Sequence, residues 1–159
     1  MDKLPCSVEV KSLPACNVAF ARHVGPYHGI GEAFERLYQW AGPRNLISAE
    51  TVHLATYHDD PDTTPPDLLR SSACISIPEG LTIDGDIGKM EIPGGLFATA
   101  RFEIEGTQFG AAWAAIMDWI AGSPWEADNR LCYEMYMNDP QTHPQKKFIV
   151  DICQPVRRR

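Results

Sequence analysis

What this chain of 159 residues has least of is organised positive charge. Fourteen basic side chains against 21 acidic ones give a formal charge of −7, and the only basic run, Arg157-Arg158-Arg159, stands at the end of the chain, where fraying is expected. Such a surface repels a phosphate backbone, so direct binding to nucleic acid is not expected. Long hydrophobic runs are missing as well. No stretch approaches the roughly 20 apolar residues of a membrane span, and "MDKLPCSVEV" has no apolar centre of the kind a signal peptide needs. The expectation is a cytoplasmic protein with no membrane association. The five cysteines, Cys6, Cys16, Cys74, Cys132 and Cys153, are odd in number and form no C-x-x-C pair. Neither a disulfide framework nor a zinc knuckle is signalled; reduced, mostly buried thiols acting as small apolar side chains are expected.

Cofactor and metal signatures are equally absent. Gly29-Ile30-Gly31 lacks the strand-turn-helix setting of a nucleotide loop. "HDDPD" (His58 to Asp62) crowds three carboxylates and an imidazole, but its spacing fits neither a calcium loop nor a zinc site. A Pro-rich turn with Asp side chains bonded to nearby backbone N–H groups explains it better. His23, His28, His53 and His143 have no triad-like company, so a Cys-His nucleophile is not expected.

What is present is an ordinary globular composition, 44% apolar and 22% charged, enough for one core or two small ones. It is also a duplication. Sliding the chain over itself by half its length, without a gap, brings Pro14 onto Pro93, Ala19 onto Ala98, Ala21-Arg22 onto Ala100-Arg101 and Gly31 onto Gly110. The same shift matches Ala33 with Ala112, Trp40 with Trp119, Tyr57 with Tyr136, Asp60-Pro61 with Asp139-Pro140, Pro65 with Pro144 and Cys74 with Cys153. Chance would give about five identities over such a length. The chain therefore reads as one domain made of pseudo-repeats 1–79 and 80–159.

Each repeat decodes in the same order. "VEVKSL" and "NVAFARHV" in the first, "IGKMEI" and "LFATARFEI" in the second, are β-rich runs bounded by turn residues. A helix follows: Ile30, Phe34, Leu37, Tyr38 and Ala41 recur at helical spacing, and Phe109, Trp113, Ile116, Met117 and Ile120 repeat it at the equivalent positions of the second repeat. Gly42-Pro43 and Gly122-Ser123-Pro124 end the two helices. "TVHLATYH" with "ACISIP", and "RLCYEMYM" with "KKFIVDIC", close the repeats as strand pairs. The prediction is an α+β fold with eight antiparallel strands and two helices, sequence-adjacent strands mostly paired, and a pseudo-two-fold with a central cleft between the copies. Residues 61 to 72, with three prolines, read as a loop with one helical turn.

The duplication is broken at Glu134, which aligns with Ala55. Strand alternation puts Cys132, Glu134 and Tyr136 on one face and Tyr133, Met135 and Met137 on the other. The all-apolar face suits the helix, and in the first repeat Leu54 and Thr56 take that side, leaving His53, Ala55 and Tyr57 opposite. A carboxylate on a mostly apolar face costs several kcal/mol unless paired or wetted. A cation arriving in the cleft would relieve that cost, and aromatic rings would add roughly 0.5 to 2 kcal/mol each. Tyr57, Tyr136, Trp113 and Tyr27 are the candidate walls. The plainer alternative pairs Glu134 with Arg22 or Arg101, purely to hold the structure together. Glu103 is on a strand suited to a second acidic role, but by alternation it shares a face with Arg101 and reads as a member of a cross-strand pair.

The ordered set "HVGPY" (His23 to Tyr27), "YHDDPDTTPPDLLR" (Tyr57 to Arg70), "GGLFATARFEIEG" (Gly94 to Gly106) and "CYEMYMND" (Cys132 to Asp139) resembles the GyrI-like family. That resemblance implies a paired strand-helix-strand-strand fold that binds lipophilic, often cationic drugs in a central cleft. Members include gyrase-inhibitory proteins and the effector-binding domains of AraC-type and MerR-type regulators. It implies a ligand-facing role for Glu134 and an aromatic role for Trp113 and Tyr57, with a small molecule as partner and DNA gyrase as a candidate second partner. Some relatives hydrolyse cyclopropane-bearing genotoxins; for such an enzyme Glu134 would be the general base. With so short a segment before the first strand, a regulatory role is expected to need a DNA-binding module from another protein.

Overall fold

A computed structural model describes residue 4 and residues 6–159. In chain order the strands are β1 (Glu9–Leu13), β2 (Cys16–Val24), β3 (His53–Tyr57), β4 (Arg70–Ser76), β5 (Gly88–Ile92), β6 (Gly95–Ile104), β7 (Trp125–Ala127), β8 (Cys132–Tyr136) and β9 (Phe148–Arg158). The helices are α1 (Gly31–Ala41) and α2 (Phe109–Ala121). The expected eight antiparallel strands and two helices are present, and the short β7 is additional. None of the described helices is long and apolar enough to cross a membrane.

The chain divides into two compact units whose limits are offset from the sequence repeats. One is Ala15–Pro93; the other is Gly94–Arg159 together with the N-terminal segment through Pro14. In the first the strand order is β3-β4-β2-β5, in the second β8-β9-β6-β1. The topology is the same, but each unit takes its outer strand from the opposite repeat. Sequence-adjacent β1 and β2 do not pair, contrary to expectation, and neither do β5 and β6. The reason is in the connectors, Pro14-Ala15 and Pro93-Gly94. A two-residue hairpin needs a positive φ at its first position, and the proline ring locks φ at a negative value. The chain cannot fold back and continues into the other unit.

In the Ala15–Pro93 unit, α1 lies on one face of the sheet. Ala33, Leu37 and Ala41 meet Ala19, Ala21, Ala73, Ile75, Ile77 and Ile87, all buried. So many alanines bring helix and sheet close together. In the other unit Ala112, Ala115, Ile116 and Ile120 of α2 meet Ala98, Ala100, Phe102 and Ile104 of β6 and Val150, Ile152 and Val156 of β9.

Two local features depart from the sequence reading. β4 starts at Arg70, inside the segment expected to be loop. β9 runs on to Arg158, so Arg157 and Arg158 are not frayed: they pair with β7, where Arg157 binds Glu126 and Arg158 stacks on Trp125. Close by, Arg130 donates to the carbonyls of Gly94, Leu96 and Val156 and stacks on Phe97 at 5.1 Å. Gly95 stands here at φ +140, a backbone conformation that side-chain-bearing residues rarely adopt.

Candidate functional site

Glu134 sits at the centre of β8, directly opposite Ile152 of β9, and is 3% exposed. Ile152 belongs to the core under α2, so Glu134 and Tyr136 face the helix. The sequence reading has the faces reversed. Tyr133 points the other way, its ring 5.5 Å from that of Phe97. The same reversal holds for β3, where His53, Ala55 and Tyr57 lie opposite Ile75, Ala73 and Ser71 on the α1 side, while Leu54 and Thr56 lie on the far side. Alternation divides a strand into two sets but does not say which set meets the helix. Both neighbours Tyr133 and Glu134 are buried, so apolarity could not decide.

The carboxylate is held by neutral donors. Trp113, one turn into α2, donates its indole N–H to Oε2 at 2.5 Å, and the Tyr136 hydroxyl donates to Oε1 at 2.8 Å. Both oxygens therefore accept, and neither of these donors brings a positive charge. Phe109 and Phe148 complete an aromatic cluster: Tyr136 lies 6.4 Å from each, and they lie 5.2 Å from one another edge to face. The sequence reading does not assign these two phenylalanines to the site. The signal is available for Phe109, which stands four residues before Trp113 and so shares its helix face.

Tyr27 and Tyr57 form a second cluster, within the Ala15–Pro93 unit, with ring centroids 4.6 Å apart. The Tyr27 hydroxyl donates to the Asp59 carbonyl and accepts from the Asp59 N–H at 3.2 Å. Asp59 in turn takes the Arg70 backbone N–H and a two-pronged guanidinium contact at 2.9 and 3.0 Å, which holds its carboxyl below the usual carboxylate range. The tyrosine pair is thus fixed to an ordered loop. The five expected site residues fall into two groups, Glu134 with Trp113 and Tyr136 in one unit and Tyr27 with Tyr57 in the other.

Of the alternative partners for Glu134, Arg101 forms a two-pronged pair with Asp151, directly opposite on β9, and Arg22 donates through Nε to Ser72. Glu103 lies opposite Ile149 and binds His143 at 2.7 Å. Asp60 and Asp139 accept from the N–H groups of Asp62 and Gln141, two residues on, so the duplicated Asp-Pro steps are turn builders. Cys74 and Cys153, equivalent in the repeats, are buried thiols whose pKa burial pushes up to about 12. At neutral pH they are unreactive core side chains.

A protein from Dickeya dadantii (strain 3937) named DNA gyrase inhibitor 2 is 34% identical over 130 residues, which cover 79% of this chain and 82% of that one. Among solved structures, the EcmrR C-terminal domain superposes with a TM-score of 0.79 at 15% identity, covering 98% of this chain and 100% of that one. SAV2435 bound to tetraphenylphosphonium superposes with a TM-score of 0.57 at 14% identity, covering 95% and 94%. The family model described as GyrI-like small molecule binding domain matches residues 6–157, and the chain belongs to that family.

Proposed function

We propose that this protein binds amphipathic organic molecules, cationic or aromatic, and sequesters or senses them as toxins or drugs. Glu134 supplies the counter-charge. Trp113 and Tyr136 are the walls beside it. The observation that carries this reading is a carboxylate 3% exposed, on an aromatic-lined sheet face, whose two oxygens are held by an indole and a phenol. A lipophilic cation would pair with this carboxylate, and the rings attract the same ligand through their faces. Binding a cation also needs no acid–base chemistry from Glu134, so the reading is of a binding protein, not a hydrolase.

The test is thermal stabilisation by tetraphenylphosphonium, the ligand in the SAV2435 structure. A ligand at 100 times its Kd stabilises the native state by about 2.7 kcal/mol. Wild type should be stabilised in this way and Glu134→Gln, which keeps the shape and removes the charge, should not. Equal stabilisation of both proteins overturns the assignment of Glu134.

A second reading is favoured by the relative named DNA gyrase inhibitor 2. In that reading the protein acts on gyrase by direct contact. Added protein should then reduce supercoiling in a purified assay; no inhibition at large molar excess rejects it.

A further inference from the structure

The two repeats carry the same arginine but different partners for it. Arg101 of β6 stands directly opposite Asp151 of β9, and Arg22 of β2 stands directly opposite Ser72 of β4, at the equivalent register positions of the first repeat. Both pairs lie on the sheet face turned away from the helix, since the adjacent Ala100–Ile152 and Ala21–Ala73 pairs form the cores under α2 and α1. In the Asp151 pair, Nε of Arg101 donates to one carboxylate oxygen at 2.7 Å and Nη2 to the other at 2.9 Å. In the Ser72 pair, only the first contact survives: Nε of Arg22 donates to Ser72 Oγ at 3.0 Å. Serine has one oxygen where aspartate has two and carries no charge. The second oxygen, and the negative charge, are what the Ala15–Pro93 unit lacks at this place.

Nothing in the described residues makes up the loss. Arg36, Arg44, Arg70, Arg101, Arg130 and Arg157 each pair with a carboxylate, in a chain of net negative charge, yet no ion pair among the described residues involves Arg22. The guanidinium is nonetheless held in position, stacked on Phe20 at 5.4 Å and tied to the fully buried Ser72. Partly exposed His58 stands on the other side of the same hydroxyl, its Nε2 2.9 Å from Ser72 Oγ and 3.4 Å from Thr56 Oγ1. Ser72 Oγ accepts from Arg22, and in the Nδ1–H tautomer of the neutral imidazole its own proton points to His58 Nε2. The charged groups acting on His58 are Arg22, Arg70 and Asp59; burial and the two arginines hold its pKa down, and Asp59, already bound to Arg70, opposes them only weakly.

From this we infer that Arg22, Ser72 and His58 form a binding site for a small carboxylate, which supplies the charge that the Asp151 side chain supplies in the other unit. One oxygen of the ligand accepts from the Arg22 terminal nitrogens, as Oδ2 of Asp151 accepts from Arg101. With the anion in place His58 takes up a proton, its Nε2–H turns to Ser72 Oγ, and the freed hydroxyl proton points to the ligand. A carboxylate is the class chosen because it is the group that the equivalent position of the other unit carries, as Asp151. The site uses none of the residues assigned to the cation above and does not depend on that reading.

The test follows the His58 imidazole by NMR in the full chain, in sodium acetate, sodium phosphate and sodium chloride at equal ionic strength. In wild type the ring should titrate about one pH unit higher in acetate than in chloride, as expected for an opposite charge brought within a few ångströms. Phosphate should act less strongly than acetate; an equal or greater effect overturns the choice of carboxylate. Arg22→Gln should abolish the difference between acetate and chloride. Ser72→Asp places the missing carboxylate on the chain, so His58 should titrate high in chloride and respond no further to acetate. Should Ser72→Asp fail to fold, Arg22→Gln decides alone. Identical titration in all three salts, or an acetate effect that persists in Arg22→Gln, overturns the inference.

Discussion

The Ala15–Pro93 unit and the Gly94–Arg159 unit have the same strand order, the same helix and cores at matching positions, yet polar chemistry has been distributed unequally between them. Where one has Ala55, Phe34 and Ser72, the other has Glu134, Trp113 and Asp151. The apolar framework tolerates this because the substitutions come as sets. Glu134 arrives with an indole N–H from the helix above it, and Asp151 with an arginine already opposite. A buried acid without such company would cost several kcal/mol.

That lesson can be broken by transplanting half a set. Ala55 is fully buried on the α1 face beside Ala73, and the helix residue equivalent to Trp113 is Phe34, which has no polar atom. Ala55→Glu should therefore destabilise the protein by about 3 kcal/mol or more in denaturant unfolding. Adding Phe34→Trp should recover part of the loss, because Tyr57 is already placed as Tyr136 is. The coupling between the two changes, read from a double-mutant cycle, should be at least about 1 kcal/mol and favourable. Strict additivity would mean that the indole does not follow the acid, and that the two helix–sheet interfaces differ in more than these residues.

Core truncation sharpens the same comparison from the other side. Leu37 and Ile116 are equivalent and both fully buried beneath their helices. Replacing either with alanine should cost about 2 to 5 kcal/mol. If the units are mechanically alike, the two losses should agree within about 1 kcal/mol, whereas a much smaller loss at Leu37 would show that the alanine-rich α1 interface collapses more readily onto the gap.

Much of this framework could be read from the sequence, because duplication doubles every signal. The helix stripe at Ile30, Phe34 and Leu37 is supported by Phe109, Trp113 and Ile116, and the asymmetry at Glu134 is visible only against Ala55. The strand exchange was also legible, in Pro14 and Pro93, but it requires asking what turn the connector can make. The faces of β3 and β8 were not legible: Tyr133 and Glu134 are adjacent and both buried, so no apolar face stands out. Arg130 was hidden for another reason. Its partners are backbone carbonyls at Gly94, Leu96 and Val156, and carbonyls leave no trace in side-chain pattern.

The smallest expected effect distinguishes the two units by pH. After β3 and after β8 the chain makes the same tie to the next strand: Asp59 accepts the Arg70 N–H at 2.8 Å, and Asn138 accepts the Ile149 N–H at 2.8 Å, again at equivalent positions of the two repeats. Only the first acceptor titrates. The Arg70 side chain lowers the Asp59 pKa below its ordinary value of 3.8, so the folded state binds that proton less readily than the unfolded state does. The stabilisation is therefore complete above about pH 4 and is lost as pH falls through the lower folded value. Hydrogen-exchange protection at the Arg70 amide should decline on acidification while that at Ile149 holds. In Asp59→Asn, which copies the acceptor of the other unit, the Arg70 amide should lose this pH dependence and behave as Ile149 does. A decline that survives in Asp59→Asn would place the acid-sensitive contact elsewhere in the loop and remove Asp59 as the cause of the difference.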